Sequence, residues 1–253
     1  MKLSIPVALG LAFVLITIVT PSKASAEDGV HLALSGLHLS ADPVRGGGDW
    51  WGIFPEGEGY NLQPVRVRVE AVADPLADGD MRKTATQITV PGEAQDIPLF
   101  RGLMSAAAGP LVSLKPAKNW GYIAPGESFA LPMERDGAES EMEIIASGKE
   151  VVKPSGPSEV TVVSAYELRL SQGTGKERRT QLLAAFPEFS RFSYETGPEL
   201  LWAGDLDRDG KLDLLYNLRT FYMYTELALF LSSAAKEGEL VGLVAHWSAT
   251  GGC

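Results

Sequence analysis

The chain has 253 residues, 45% hydrophobic and 21% charged, which is the composition of a globular protein and not of a disordered or fibrous one. Twenty-two Lys and Arg against 32 Asp and Glu give a formal charge of −10, which argues against a nucleic-acid surface and against adhesion to an anionic membrane face. One cysteine excludes an internal disulfide framework and a cysteine-based zinc cluster.

The first element predicted is a leader. Lys2 precedes an apolar run over residues 7–19, broken only by Gly10 and Thr17, and a polar stretch then ends in Ala24-Ser25-Ala26. A positive start, an apolar core and a small-x-small end form the pattern of a secretory signal peptide, here residues 1–26. The apolar run is too short to cross about 30 Å of hydrocarbon, so no stable membrane span is expected after cleavage. Cleavage removes Lys2 and Lys23 and no acid, which leaves an exported or cell-envelope protein more acidic still.

The rest reads mostly as strand. Near residues 46–60, Trp50 and Trp51 stand among glycines, with Tyr60 further on. They suggest either a core tryptophan or an aromatic platform for a glycan or protein ligand. Val65, Val67 and Val69 alternate with Arg66, Arg68 and Glu70, the period-2 signature of a half-buried strand. Residues 86–90 and 142–145 are shorter β-like runs. Residues 159–170 and 180–186 flank a glycine loop at 172–176 and predict a hairpin; residues 227–231 and 240–246, around 234–238, predict another. Only residues 102–108 and a turn at 182–185 suggest helix. Residues 147–158, with Pro154, Gly156 and Pro157, look like a linker. They divide the mature chain into a β-rich domain over 27–155 and a second over 156–253, with one continuous β-rich domain as the alternative.

Residues 200–218 read LLWAGDLDRDGKLDLLYNL. Asp205, Asp207, Asp209 and Asp213 occupy positions 1, 3, 5 and 9 of a loop with Gly210 at position 6. Carboxylates so close repel one another, and a hard cation such as Ca²⁺, which takes 6–8 oxygens, relieves that repulsion. Gly210 permits the turn that brings the later ligands back, and the carbonyl of Lys211 supplies a further oxygen. No Cys or His lies in the loop, which disfavours zinc and copper. An EF-hand needs Glu at position 12, where Tyr216 stands.

With strand-like flanks on both sides, Asp205-Leu206-Asp207-Arg208-Asp209-Gly210-Lys211-Leu212-Asp213 resembles the calcium loops of FG-GAP and VCBS repeats. The resemblance covers about residues 199–246. It implies that Asp205, Asp207, Asp209 and Asp213 bind Ca²⁺ through side chains and Lys211 through its carbonyl. Those repeats build β-propellers, which need several blades, whereas this sequence carries one such loop.

The remaining signals are weaker. His31, His38 and His246 form no metal or triad spacing, and Cys253 at the end of the sequence offers a free thiol or an intermolecular disulfide in a dimer. The sequence therefore predicts a mainly β protein, β-sandwich-like or made of two small β-rich domains, with few short helices and not a full propeller. The expected function is that of an exported calcium-binding module, structural or binding and not enzymatic, with calcium as a structural ion. The alternatives are a secreted hydrolase of polysaccharide or peptide and a carbohydrate-binding surface protein using Trp50 and Trp51.

Overall fold

A computed structural model describes residues 29–251 except 75–82, 105, 115–120, 136–137, 156–157 and 192–195; of the side chains of 133–141 and 158 nothing is said. The leader and Cys253 lie outside the described residues. The protein is mainly β, and it is not a propeller.

Eight antiparallel strands close on themselves. They are, in ring order, β4 (Gly59–Val72), β5 (Ala85–Thr89), β2 (Gly36–Ala41), β15 (Gly242–Gly251), β14 (Tyr224–Leu231), β13 (Asp213–Asn217), β12 (Glu199–Asp205) and β7 (Gly109–Ser113). Closure comes from β4 against β7, in the register Tyr60↔Leu111 and Leu62↔Gly109. Three further strands extend from β4: β3 (Gly47–Glu56), β6 (Pro98–Arg101) and β1 (His31–Leu34). A separate four-stranded antiparallel sheet runs in the order β11 (Arg179–Arg191), β10 (Ser158–Gln172), β9 (Ala138–Ser155), β8 (Ser128–Arg135).

Both predicted hairpins form, as β10–β11 around a single 3-10 turn (Gly175–Glu177) and as β14–β15 around another (Ser232–Ala234). The alternating valines lie in β4. Neither predicted helix is seen: residues 182–185 lie within β11, and the described residues of 102–108 form no regular element. The linker-like stretch 147–158 runs from the end of β9 to the start of β10, paired from Ser155↔Ser158 upward. Pro154 of that stretch lies near the end of β9, opposite Glu159.

Two cores flank one buried layer. Leu214 and Tyr216 of β13, with Ala228 and Phe230 of β14, pack with Ile144, Leu168 and Phe186 of the four-stranded sheet. The intervening Leu215, Leu227, Leu229 and Leu231 pack with Trp50, Leu62 and Phe100 of β3, β4 and β6. Because successive strand residues face opposite ways, β13 and β14 are buried on both faces. This is why residues 214–216 and 227–231 are apolar runs without alternation. Each fully buried leucine contributes roughly 1.5–3 kcal/mol, so this layer is the principal hydrophobic anchor.

Candidate functional site

The aspartate loop joins β12 to β13 on this doubly buried layer. Their register runs from Glu199↔Asn217 to Gly204↔Asp213, and residues 206–212 form the turn. Gly204 also pairs with Ser113 of β7, and Asp205 pairs with Val112. A Cβ at Gly204 would collide with the Val112 carbonyl and lie 2.6 Å from the Trp202 ring, so only glycine lets β7 approach so closely. Within the turn, Gly210 (φ 78°) and Arg208 (φ 63°) take left-handed conformations. Such a conformation is uncommon for a non-glycine residue. Arg208 Nη2 donates to the carbonyl of Ala107 at 2.9 Å and reaches that of Pro110 at 3.5 Å, tying the turn to the chain leading into β7. Its side chain stays exposed while reaching back to those two carbonyls.

Asp205, Asp207 and Asp209 each place a carboxylate oxygen within 4.8 Å of the others. Two such charges repel by about 3 kcal/mol at an effective dielectric of about 20. The backbone offsets part of this. Gly210 N–H donates to Asp205 Oδ2 at 2.9 Å, Asp209 N–H to Asp207 Oδ1 at 3.3 Å, and Lys211 N–H to Asp209 Oδ1 at 2.8 Å. Asp205 is 8% exposed, and its Oδ1 is buried with no hydrogen-bond partner among the described residues. Burial, first of all, pushes the Asp205 carboxyl up, and the charges of Asp209 and Asp207 add to this against the Gly210 N–H. Lys211 Nζ stands 3.7 Å from Asp209 Oδ2.

Asp213 stands outside that group of three. It is fully buried; its Oδ2 accepts from the N–H groups of Leu206 (2.8 Å) and Asp207 (3.4 Å), and its Oδ1 from Ser232 N–H at 2.8 Å. Burial pushes its carboxyl up to about 7, with the Asp207 charge adding and the three backbone N–H donors opposing. Its observed role is to brace the turn.

Sequence reasoning missed two serines. Ser232 Oγ donates to both oxygens of Asp209, at 3.0 and 2.9 Å, and Ser233 Oγ donates to Asp207 Oδ2. They come from the turn after β14, more than twenty residues downstream. No local spacing signals them; only the β13–β14 pairing brings that turn beside the loop.

The other candidates are dispersed. Trp50 is 2% exposed and donates its Nε1–H to the Arg45 carbonyl, so it is a core residue, while Trp51 is half-buried. His31, His38 and His246 lie in β1, β2 and β15. His246 Nε2 is 2.8 Å from Glu226 Oε2, and Ser248 Oγ donates to that same oxygen at 3.0 Å. The serine thus bonds the acid and not the imidazole, which is the wrong order for activating a nucleophile. Among the described residues no helix is long and apolar enough to cross a membrane.

Comparison of the chain with protein-family models, with curated proteins and with solved structures gives no match.

Proposed function

We propose that this is an exported, calcium-stabilised β-barrel module in which Asp205, Asp207 and Asp209 hold one Ca²⁺. The observation that carries the reading is the buried, unpartnered Asp205 Oδ1 beside two further carboxylates. A hard cation gives that oxygen its partner and removes the mutual repulsion. The donor set supports the choice of ion, being entirely oxygen. Three carboxylates and the Lys211 carbonyl supply four protein ligands, and bidentate contacts with water complete the 6–8 that Ca²⁺ takes. Asp213 acts as the brace that sets the loop, so its function is positioning. The calcium is structural: it fastens β12 to β13 and, through Ser232 and Ser233, to the turn after β14. Ca²⁺ titration followed by calorimetry tests the reading. Single-site binding is expected for the wild type, and its loss in Asp205→Ala/Asp209→Ala.

Export rests on the leader pattern of residues 1–26. N-terminal sequencing of the protein secreted from a cell expressing the whole chain should begin at Glu27. A protein that stays in the producing cell and begins at residue 1 refutes that part.

A further inference from the structure

A cavity of about 520 Å³ opens between the β3–β4 hairpin, the segment 91–98 and β12. That volume lies within the roughly 300–1,000 Å³ of small-molecule sites. Phe54 and Tyr60 supply aromatic walls, and Trp202 lies against it from β12. Gln63, Gln95 and Asp96 line it with polar groups, and Glu93 adds a second carboxylate.

The backbone at Asp96 is held firmly. Ser35, itself 1% exposed, receives Asp96 N–H on its carbonyl at 2.9 Å. It also bonds Ile97 twice: its N–H donates to the Ile97 carbonyl at 3.1 Å, and its Oγ accepts Ile97 N–H at 2.8 Å. Asp96 is thereby fixed in a left-handed conformation (φ 64°) that a free chain rarely adopts. Strain of this kind, held by surrounding bonds, recurs at ligand clamps. Trp202, 1% exposed, forms part of the cavity wall, and its indole N–H is itself buried.

These groups restrict the ligand. The carboxylates need hydrogen-bond donors, while the amide N–H groups of Gln63 and Gln95 need acceptors. An organic cation would suit the aromatic walls and the acids but brings no acceptor. An anion is repelled by Glu93 and Asp96, and a hydrocarbon leaves every polar group unpaired. A pyranose has hydroxyls that donate and accept, together with an apolar face that packs on aromatic rings.

We infer that this cavity binds a neutral hexopyranose or the end of a neutral glycan. The ring packs on Phe54 and Tyr60, and its hydroxyls bond Asp96, Gln63 and Gln95. The site differs from the Trp50–Trp51 platform that the sequence suggested. Trp50 is buried, and in the cavity beside Trp51 the Asp49 and Arg101 side chains already satisfy one another at 2.6 Å. The inference does not depend on calcium at the aspartate loop.

The test uses the full chain, ¹⁵N-labelled, and reads the tryptophan indole resonances while glucose, galactose, N-acetylglucosamine or cellobiose is added to millimolar concentration. Trp202→Phe assigns the Trp202 signal. At least one sugar should move that signal saturably, whereas sorbitol, which has no ring, and tetramethylammonium should not. Tyr60→Ala should weaken binding at least about tenfold, a loss of about 1.4 kcal/mol. Gln63→Ala/Gln95→Ala, at two exposed positions, should do the same with the remaining spectrum native, and Trp51→Ala should bind as the wild type does. The inference is overturned if none of these sugars moves the signal, if tetramethylammonium moves it instead, if both cavity variants bind normally, or if Trp51→Ala abolishes binding.

Discussion

The carboxylate of Asp213 accepts the backbone N–H of Ser232 at 2.8 Å, across nineteen residues of chain. That bond joins the first residue of β13 to the turn closing β14 onto β15, and it lies where the layer is buried on both faces. The two ends of the aspartate loop are thus rooted in the core of the barrel, while its tip at Arg208 and Lys211 is exposed. Ion binding there would bear on global stability, not only on a local turn.

Protonation of Asp213 should make the calcium-free protein respond to pH in an unusual sense. Its carboxyl lies near 3.8 when unfolded and is raised to about 7 when folded. Between these values the folded state holds a proton that the unfolded state has lost, so its contribution to stability is greatest below the lower value. It is lost as pH rises through the upper one. In chelator, melting temperature should therefore fall as pH rises across that window. Asp213→Asn, which has no proton to exchange, should show a flatter profile; matching profiles would refute the assignment.

Gly204→Ala should destabilise strongly although it adds one methyl group. The new Cβ would meet the Val112 carbonyl and the Trp202 ring, and β7 would have to move off β12. Overpacking of this kind costs about 1–3 kcal/mol, readable as a lower urea midpoint with an unchanged slope. An unchanged midpoint would mean that β7 does not pack as described.

Tyr216→Phe should stabilise. The Tyr216 side chain is 1% exposed, and its hydroxyl has no partner among the described residues. An unpaired buried polar group costs about 1–3 kcal/mol, so removing the hydroxyl while keeping the ring should raise the urea midpoint. A lowered midpoint would show that the hydroxyl is bonded in solution.

The sequence patterns and the fold agree where one physical signal dominates. The valines at 65, 67 and 69 reveal β4 by alternation, and the glycine loops around 173 and 238 reveal two hairpins. Residues 102–108 and 182–185 suggest helix because a short apolar run suits helix and strand equally. Tertiary pairing in β11 decided the second of them. Barrel closure was hidden because Tyr60↔Leu111 and Gly204↔Ser113 are pairings between distant segments. The aspartates were legible because their spacing is local. Ser232, Ser233 and the Ser35 clamp were not, since each acts through a contact that exists only after the strands assemble.

If one Ca²⁺ at Asp205, Asp207 and Asp209 holds the barrel together, thermal unfolding reads its contribution. At about ten times its dissociation constant, a ligand specific to the folded state stabilises by about 1.4 kcal/mol. For a chain of this size that is about 3–6 °C in Tm. The wild type should melt that much higher in Ca²⁺ than in chelator, Mg²⁺ should not substitute, and Asp205→Ala/Asp209→Ala should show no shift. An unchanged wild-type Tm, or an equal shift in the double variant, would contradict the account.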